Sequence, residues 1–164
     1  MKSNVEIEFV TQVEKHQNLV HKICRLYSNG DAEHKDLFQE ITIQLWKAYP
    51  KFRGDSKFST WMYRVSLNTA ITLYRKNKRQ ISTQDFETIS FKIKSEEYDD
   101  TSEQQLKLMY DAVKKLNDID KALVFLYLED KSYKEISLNL GISEVNARVK
   151  MNRAKDKLRK ILNP

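Results

Sequence analysis

The side chains able to ligate a metal or attack a substrate are few in this chain: His16, His21, His34 and the single Cys24. They are scattered. His21 and Cys24 form one H-x-x-C pair, whereas a structural zinc site takes about four ligands. Cys24 reads as a small buried hydrophobe, and a lone cysteine suits a reducing cytoplasm. Carboxylates cluster only in residues 82–104, with 7 acids and 2 bases, in a polar connector that offers no fixed frame for acid–base work. The 3 glycines stand too far apart for a phosphate-binding loop. No catalytic residue, metal or cofactor is therefore expected.

The spacing does supply cation and ring chemistry. Residues 64–79 hold Arg64, Arg75, Lys76, Lys78 and Arg79 and no acid. Residues 144–160 hold 7 bases and 2 acids, and the whole chain carries a net charge of +6. Cationic helix ends often serve only to complement the helix dipole. Two such patches on separate modules favour a polyanion, and the natural candidate is nucleic acid. The first patch follows Phe58, Trp61 and Tyr63. Rings beside cations suit an unpaired strand, because rings stack on bases while cations hold the backbone. Phe58, Trp61 and Val65 read mainly as core. Phe52 lies in a turn beside Arg53 and Gly54, where a ring is expected to have fewer core neighbours.

The elements that position these residues are expected to be helices. The 164 residues include only 3 Gly and 2 Pro, too few turn formers for a sandwich or barrel. No apolar run approaches 18 residues and the first twenty lack a signal peptide's apolar block, so neither membrane insertion nor export is expected. The expected architecture is all-α. A helical module spans 1–81, an acidic flexible linker 82–102, and a helix-turn-helix module 103–164. Phe86, Ile89 and Phe91 leave open an ordered polar loop in the linker's first half.

In the first module, one helix is expected over 5–28, a second over about 33–49 and a third over about 58–78. Asp31 or its neighbours would cap the second, and Ser56 or Ser59 the third. The second helix places Leu37, Ile41, Leu45 and Ala48 on one stripe. Asp36, Gln39, Ile43 and Trp46 form another, with Glu40 beside it. That stripe is either a solvated face with Trp46 turned inward, or a docking face for an arginine-bearing partner helix.

In the second module, helices are expected over 103–116 and 119–129, then 132–140. Gly141 supplies a turn that needs positive φ, and Ser143 caps the next helix. Ala147, Met151, Ala154 and Leu158 lie within about 40° of Ala147 at 100° per residue. The other side carries Val145, Arg148, Val149, Asn152, Arg153 and Arg159. This is the composition of a major-groove reader: Arg for guanine, Asn for adenine, a methyl for thymine. A generic helical hairpin with a cationic surface is the alternative.

Three blocks resemble those of bacterial extracytoplasmic-function (ECF) sigma factors, the minimal two-domain initiation subunits of RNA polymerase. The first is Asp36-Leu37-Phe38-Gln39-Glu40 with Ile43 and Trp46. The second is Phe52-Arg53-Gly54-Asp55-Ser56, then Phe58-Ser59-Thr60-Trp61-Met62-Tyr63-Arg64-Val65 and Asn68. The third runs from Tyr133 to Leu158 and ends in MNRAKDKL. The resemblance implies that Asp36, Gln39, Glu40, Ile43 and Trp46 dock on the β′ coiled coil of core polymerase. It implies that Phe52, Arg53, Asp55, Ser56, Trp61 and Asn68 meet the melted minus-ten element, with Arg75, Lys76, Lys78 and Arg79 on phosphates. Ser143, Arg148, Val149, Asn152, Arg153 and Lys155 would read the minus-thirty-five duplex. The implied partners are core polymerase, including its β flap, promoter DNA and an anti-sigma protein; the implied location is the cytoplasm. The connector would lie in the polymerase's basic interior. Thr72 stands where the family commonly has an acid, and Val149 and Asn152 stand where many members have Ser and His. A DNA-binding regulator that never docks on polymerase, and a nucleic-acid enzyme, are the competing classes.

Overall fold

A computed structural model describes residues 3–81 and 101–164, with side chains over 3–78 and 104–164. The described residues form eight α-helices and one short 3-10 turn, with no strand, which is the all-α architecture expected. Contacts divide the chain into two compact units, Met1–Gln84 and Asp85–Pro164. Residues 82–100 of the acidic connector, with Phe86, Ile89 and Phe91, lie outside the described residues, whereas its last two, Thr101 and Ser102, are already helical. None of the described helices is long and apolar enough to cross a membrane.

The first unit contains α1 (Asn4–Lys15), α2 (Gln17–Tyr27), α3 (Asp31–Ala48) and α4 (Phe58–Ile81). The expected single helix over 5–28 is broken at His16, whose φ −113° and ψ 14° leave the helical region. The reason lies in the phase of the apolar stripe. Leu19 follows Val13 by six residues, a turn of about 240°, so an unbroken helix would point the two away from each other. The break lets Phe9 and then Leu19, Val20 and Ile23 all reach buried positions. α2, α3 and α4 pack on one another. Between them lie Ile23, Cys24, Leu26, Ile41, Leu45, Met62 and Leu67, each at most 2% exposed.

Two caps differ from expectation. α3 starts after Gly30 at φ 86°, without a side-chain cap. Asp31 is already helical, and Glu33 instead accepts from the Asn29 N–H at 2.7 Å. The first bond of α4 runs from the Trp61 N–H to the Lys57 carbonyl, so Lys57 caps it rather than Ser56 or Ser59.

The second unit contains α5 (Thr101–Lys114), α6 (Asp118–Leu128), α7 (Tyr133–Leu140) and α8 (Glu144–Leu162). α6, α7 and α8 pack mutually around Leu123, Phe125, Leu126, Ile136 and Met151. Each of the three opens on a polar cap: Asn117 accepts from Asp120, Ser132 from Glu135 and Ser143 from Asn146. Gly141 adopts φ 68°, ψ 32°, the left-handed turn its position requires. The N–H groups of Gly141 and Ile142 both donate to the Ser137 carbonyl, closing α7 before α8 begins.

Candidate functional site

Three surfaces carry the residues singled out above. The first is the outer face of α3. Leu37, Ile41 and Leu45 face the core, so the helical period turns Asp36, Gln39, Ile43 and Trp46 outward. Ile43 is 45% exposed and Trp46 41%. Trp46 also rests on Phe9 of α1, with ring centroids 5.0 Å apart. Trp46 is therefore packed on one side and open on the other, neither turned fully inward nor fully solvated. Glu40 is half-buried and accepts from Gln44 at 3.0 Å.

Beside this face, Asp36, Glu40 and Glu33 join Tyr27 of α2 and Tyr74 and Asn77 of α4 around a cleft of about 270 Å³. The two tyrosine rings meet edge to face at 5.9 Å. Sequence reading missed the tyrosines, because only the packing of three helices brings residues 27, 36 and 74 together.

The second surface runs from the turn after α3 along α4. Arg53, Gly54, Asp55 and Ser56 are exposed, and Gly54 has φ 77°. Phe52 differs from expectation. It is half-buried and packs on Trp61 at 5.1 Å, Phe58 at 5.7 Å and Tyr49 at 6.4 Å. Phe58, Trp61 and Val65 are likewise half-buried, not core; the core side of α4 is Met62, Tyr63, Ser66, Leu67, Ala70 and Ile71. The rings thus form a cluster at the N-terminal end of α4, with edges available at the surface. Trp61, Asn68, Thr72 and Arg75 lie within about 60° of one another around the helix. Asn68, Arg75, Lys76 and Lys78 are exposed. One helix face therefore begins in aromatic rings and ends in cations. The side chain of Arg79 lies outside the described residues.

The third surface is α8. Ala147, Met151, Ala154 and Leu158 are buried, while Ser143, Arg148, Val149, Asn152 and Arg153 are exposed and Lys155 is half-buried. Val145 is 70% exposed and Val149 41%, apolar side chains that the fold leaves in solvent. Two tyrosines missed at the sequence level brace this helix. The Arg148 guanidinium sits 5.2 Å from the centre of the Tyr133 ring, and the Lys155 ammonium 4.7 Å from that of Tyr127.

The remaining reactive groups are held quiet. Cys24 is fully buried, and burial pushes its thiol up to about 12. His21 and His34 share one hydrogen bond at 2.9 Å, with Phe38 stacked on His21 at 4.5 Å. Among the described residues, no group of three or more His, Cys, Asp or Glu is placed to hold a metal.

Comparisons with known proteins bear on both units. Residues 12–80 match the family model Sigma-70 region 2, and residues 106–158 match Sigma-70, region 4. The chain is 27% identical over 159 residues to the ECF RNA polymerase sigma-E factor of Escherichia coli (strain K12), covering 88% of this chain and 82% of that one. It is 26% identical over 168 residues to the ECF RNA polymerase sigma-E factor of Haemophilus influenzae, covering 93% and 86%. Among solved structures, the fold is similar to that of the sigma factor RpoE from Bartonella quintana, solved with the anti-sigma factor NepR. The TM-score there is 0.73 at 17% identity, covering 94% of this chain and 96% of that one. It is also similar to CnrH in complex with the cytosolic domain of CnrY, with a TM-score of 0.66 at 20% identity, covering 94% and 87%.

Proposed function

Because the chain belongs to the sigma-70 family, in its ECF type, we propose that it docks on core RNA polymerase through α3, opens the minus-ten element with the turn 52–56 and α4, and reads the minus-thirty-five duplex with α8. Family membership makes it an RNA polymerase sigma factor, a class that directs an enzyme without catalysing the reaction. Its working place on this reading is the cytoplasm, where core polymerase and promoter DNA are found.

The observation that carries the reading is the division of labour on α4. Its buried side is apolar apart from Ser66, while its outer side passes from the ring cluster of Phe52, Phe58 and Trp61 to Asn68 and then to Arg75, Lys76 and Lys78. A base flipped from the non-template strand gains stacking of roughly 1–3 kcal/mol on such rings, which offsets the cost of unstacking it from the duplex. Arg53, Asp55 and Ser56 border the same ring cluster and would contact the flipped base and its sugar. The cations further along, Arg79 included, would follow the phosphates and make binding salt-dependent. Asn68 stands between rings and cations, where an amide can read a base edge.

On α8 the exposed Arg148, Val149, Asn152 and Arg153 supply donors, acceptors and a methyl group for the major groove, with Ser143 and Lys155 on the backbone. On α3, Asp36, Gln39, Glu40, Ile43 and Trp46 offer acid beside aromatic, which suits a basic helix such as the polymerase β′ coiled coil. The solved relatives RpoE and CnrH are each bound by a second protein, the anti-sigma factor NepR or a domain of CnrY. An anti-sigma partner is part of the proposal for this chain too.

The test is reconstitution. Core polymerase from the same cell, mixed with this chain, should start transcription at a discrete set of genomic sites. Permanganate should detect unpaired thymines at those sites only when the chain is present. An intact holoenzyme that opens no promoter would refute the proposed role of α4.

A further inference from the structure

We propose that Tyr133 is a positioning residue for base readout: its ring holds the Arg148 guanidinium at the start of α8, so that this arginine meets a guanine edge in one orientation. The inference rests on the reading of α8 given above and adds what selects its strongest contact.

Tyr133 is the first residue of α7, fixed there by the Ser132 cap. Arg148 lies one turn into α8, and its guanidinium carbon is 5.2 Å from the ring centre, within cation–π range. A guanidinium lying on a ring keeps its N–H edge available, which is the edge that binds guanine in a bidentate manner. An arginine on a bare helix samples many rotamers and must surrender them on binding. One already held against a ring has less to lose.

The arrangement is repeated along the helix. Lys155 follows Arg148 by seven residues, two turns, and so projects from the same edge of α8. Its ammonium lies over Tyr127 and 3.5 Å from that hydroxyl. The rings of Tyr127 and Tyr133 are themselves 6.5 Å apart. The end of α6 and the start of α7 thus form an aromatic shelf along one edge of α8. Val149 and Arg153 lie about 100° and 140° around the helix from Arg148, and Asn152 about 40°, so the Arg148 contact should depend most on Tyr133.

The experiment uses holoenzyme assembled from the full chain and its own cell's core polymerase. Binding sites are selected from a duplex pool randomised over the upstream element. Arg148→Ala should abolish a guanine preference at one position, a loss of roughly 5- to 150-fold in discrimination. Tyr133→Leu should weaken the preference at that same position by roughly 2- to 5-fold and leave the others intact. Tyr133→Phe, which keeps the ring, should behave as the unaltered chain. In the Arg148→Ala background, Tyr133→Leu should change nothing further at that position. Equal helical circular dichroism of all variants verifies that the unit is folded.

The inference is overturned if Tyr133→Leu lowers binding equally for every sequence, or leaves the guanine preference unchanged while Arg148→Ala removes it. It is also overturned if Tyr133→Phe is as damaging as Tyr133→Leu, which would make the hydroxyl the functional group. If Arg148→Ala changes no base preference, the proposed role of Arg148 fails first and the positioning role with it.

Discussion

Replacing Gly141 isolates the turn that sets α8 against α7. The glycine sits at φ 68°, ψ 32°, and a Cβ built there meets nothing within 4 Å. A steric clash therefore contributes nothing to the cost of Gly141→Ala, and only the backbone preference remains. Holding an L-residue in the left-handed region costs roughly 1–2 kcal/mol. Reduced freedom of the unfolded chain returns about 0.4–1 kcal/mol. The net loss should be about 0.5–1 kcal/mol, larger for the β-branched Gly141→Val and smaller for Gly141→Asn, whose side chain tolerates this conformation. The assay is urea unfolding of the full chain followed by far-ultraviolet circular dichroism and tyrosine emission. Both tryptophans, Trp46 and Trp61, belong to the first unit, so tryptophan emission does not report the turn directly. With a slope of about 1 kcal/mol per molar urea, the second unit's midpoint should fall by roughly 0.5–1 M for Ala. Equal midpoints for Gly, Ala and Val, or Asn falling below Ala, would refute the reasoning.

Three other outcomes follow from particular side chains. Cys24 should resist thiol reagents in the folded chain at pH 8 and react on unfolding. Because burial raises its folded pKa from 9.0 to about 12, its contribution to stability is complete below pH 9 and should be lost as pH rises from 9 to 12; Cys24→Ala should flatten that alkaline decline. Asp120 is nearly buried and binds Lys157 at 3.2 Å, but the lysine is 55% exposed, so Lys157→Met should cost less than about 1 kcal/mol in unfolding experiments. Lys76→Gln with Lys78→Gln should lower the salt slope of promoter binding by about 1.4–1.8 without altering base preference, as measured by titration at several salt concentrations.

The features legible in the sequence were those written within one or two helical turns. Ser143 as a cap, Gly141 as a left-handed turn and the Ala147–Met151–Ala154–Leu158 stripe each depend on neighbours a few residues away, and the fold places them as expected. The outward stripe of α3 was legible for the same reason. The break at His16 was not, because each half of 5–28 has a helical stripe and only their mutual phase reveals the corner. The packing of Phe52 is not legible in the spacing because its neighbours Tyr49, Phe58 and Trp61 come from both sides of the turn, which folds them together. Tyr133 beside Arg148, and Tyr27 beside Tyr74, join helices that no periodicity links.

The docking claim stands upstream of every promoter step, and one binding measurement addresses it. Labelled core polymerase is titrated with the unaltered chain, with a chain carrying Asp36→Lys and Glu40→Lys, and with Trp46→Ala. The unaltered chain should saturate core polymerase at one copy per enzyme. The charge-reversed chain should fail to bind while keeping its helical content, and Trp46→Ala should bind more weakly. A chain that never joins polymerase, or one whose affinity ignores all three residues, would contradict the assignment of α3.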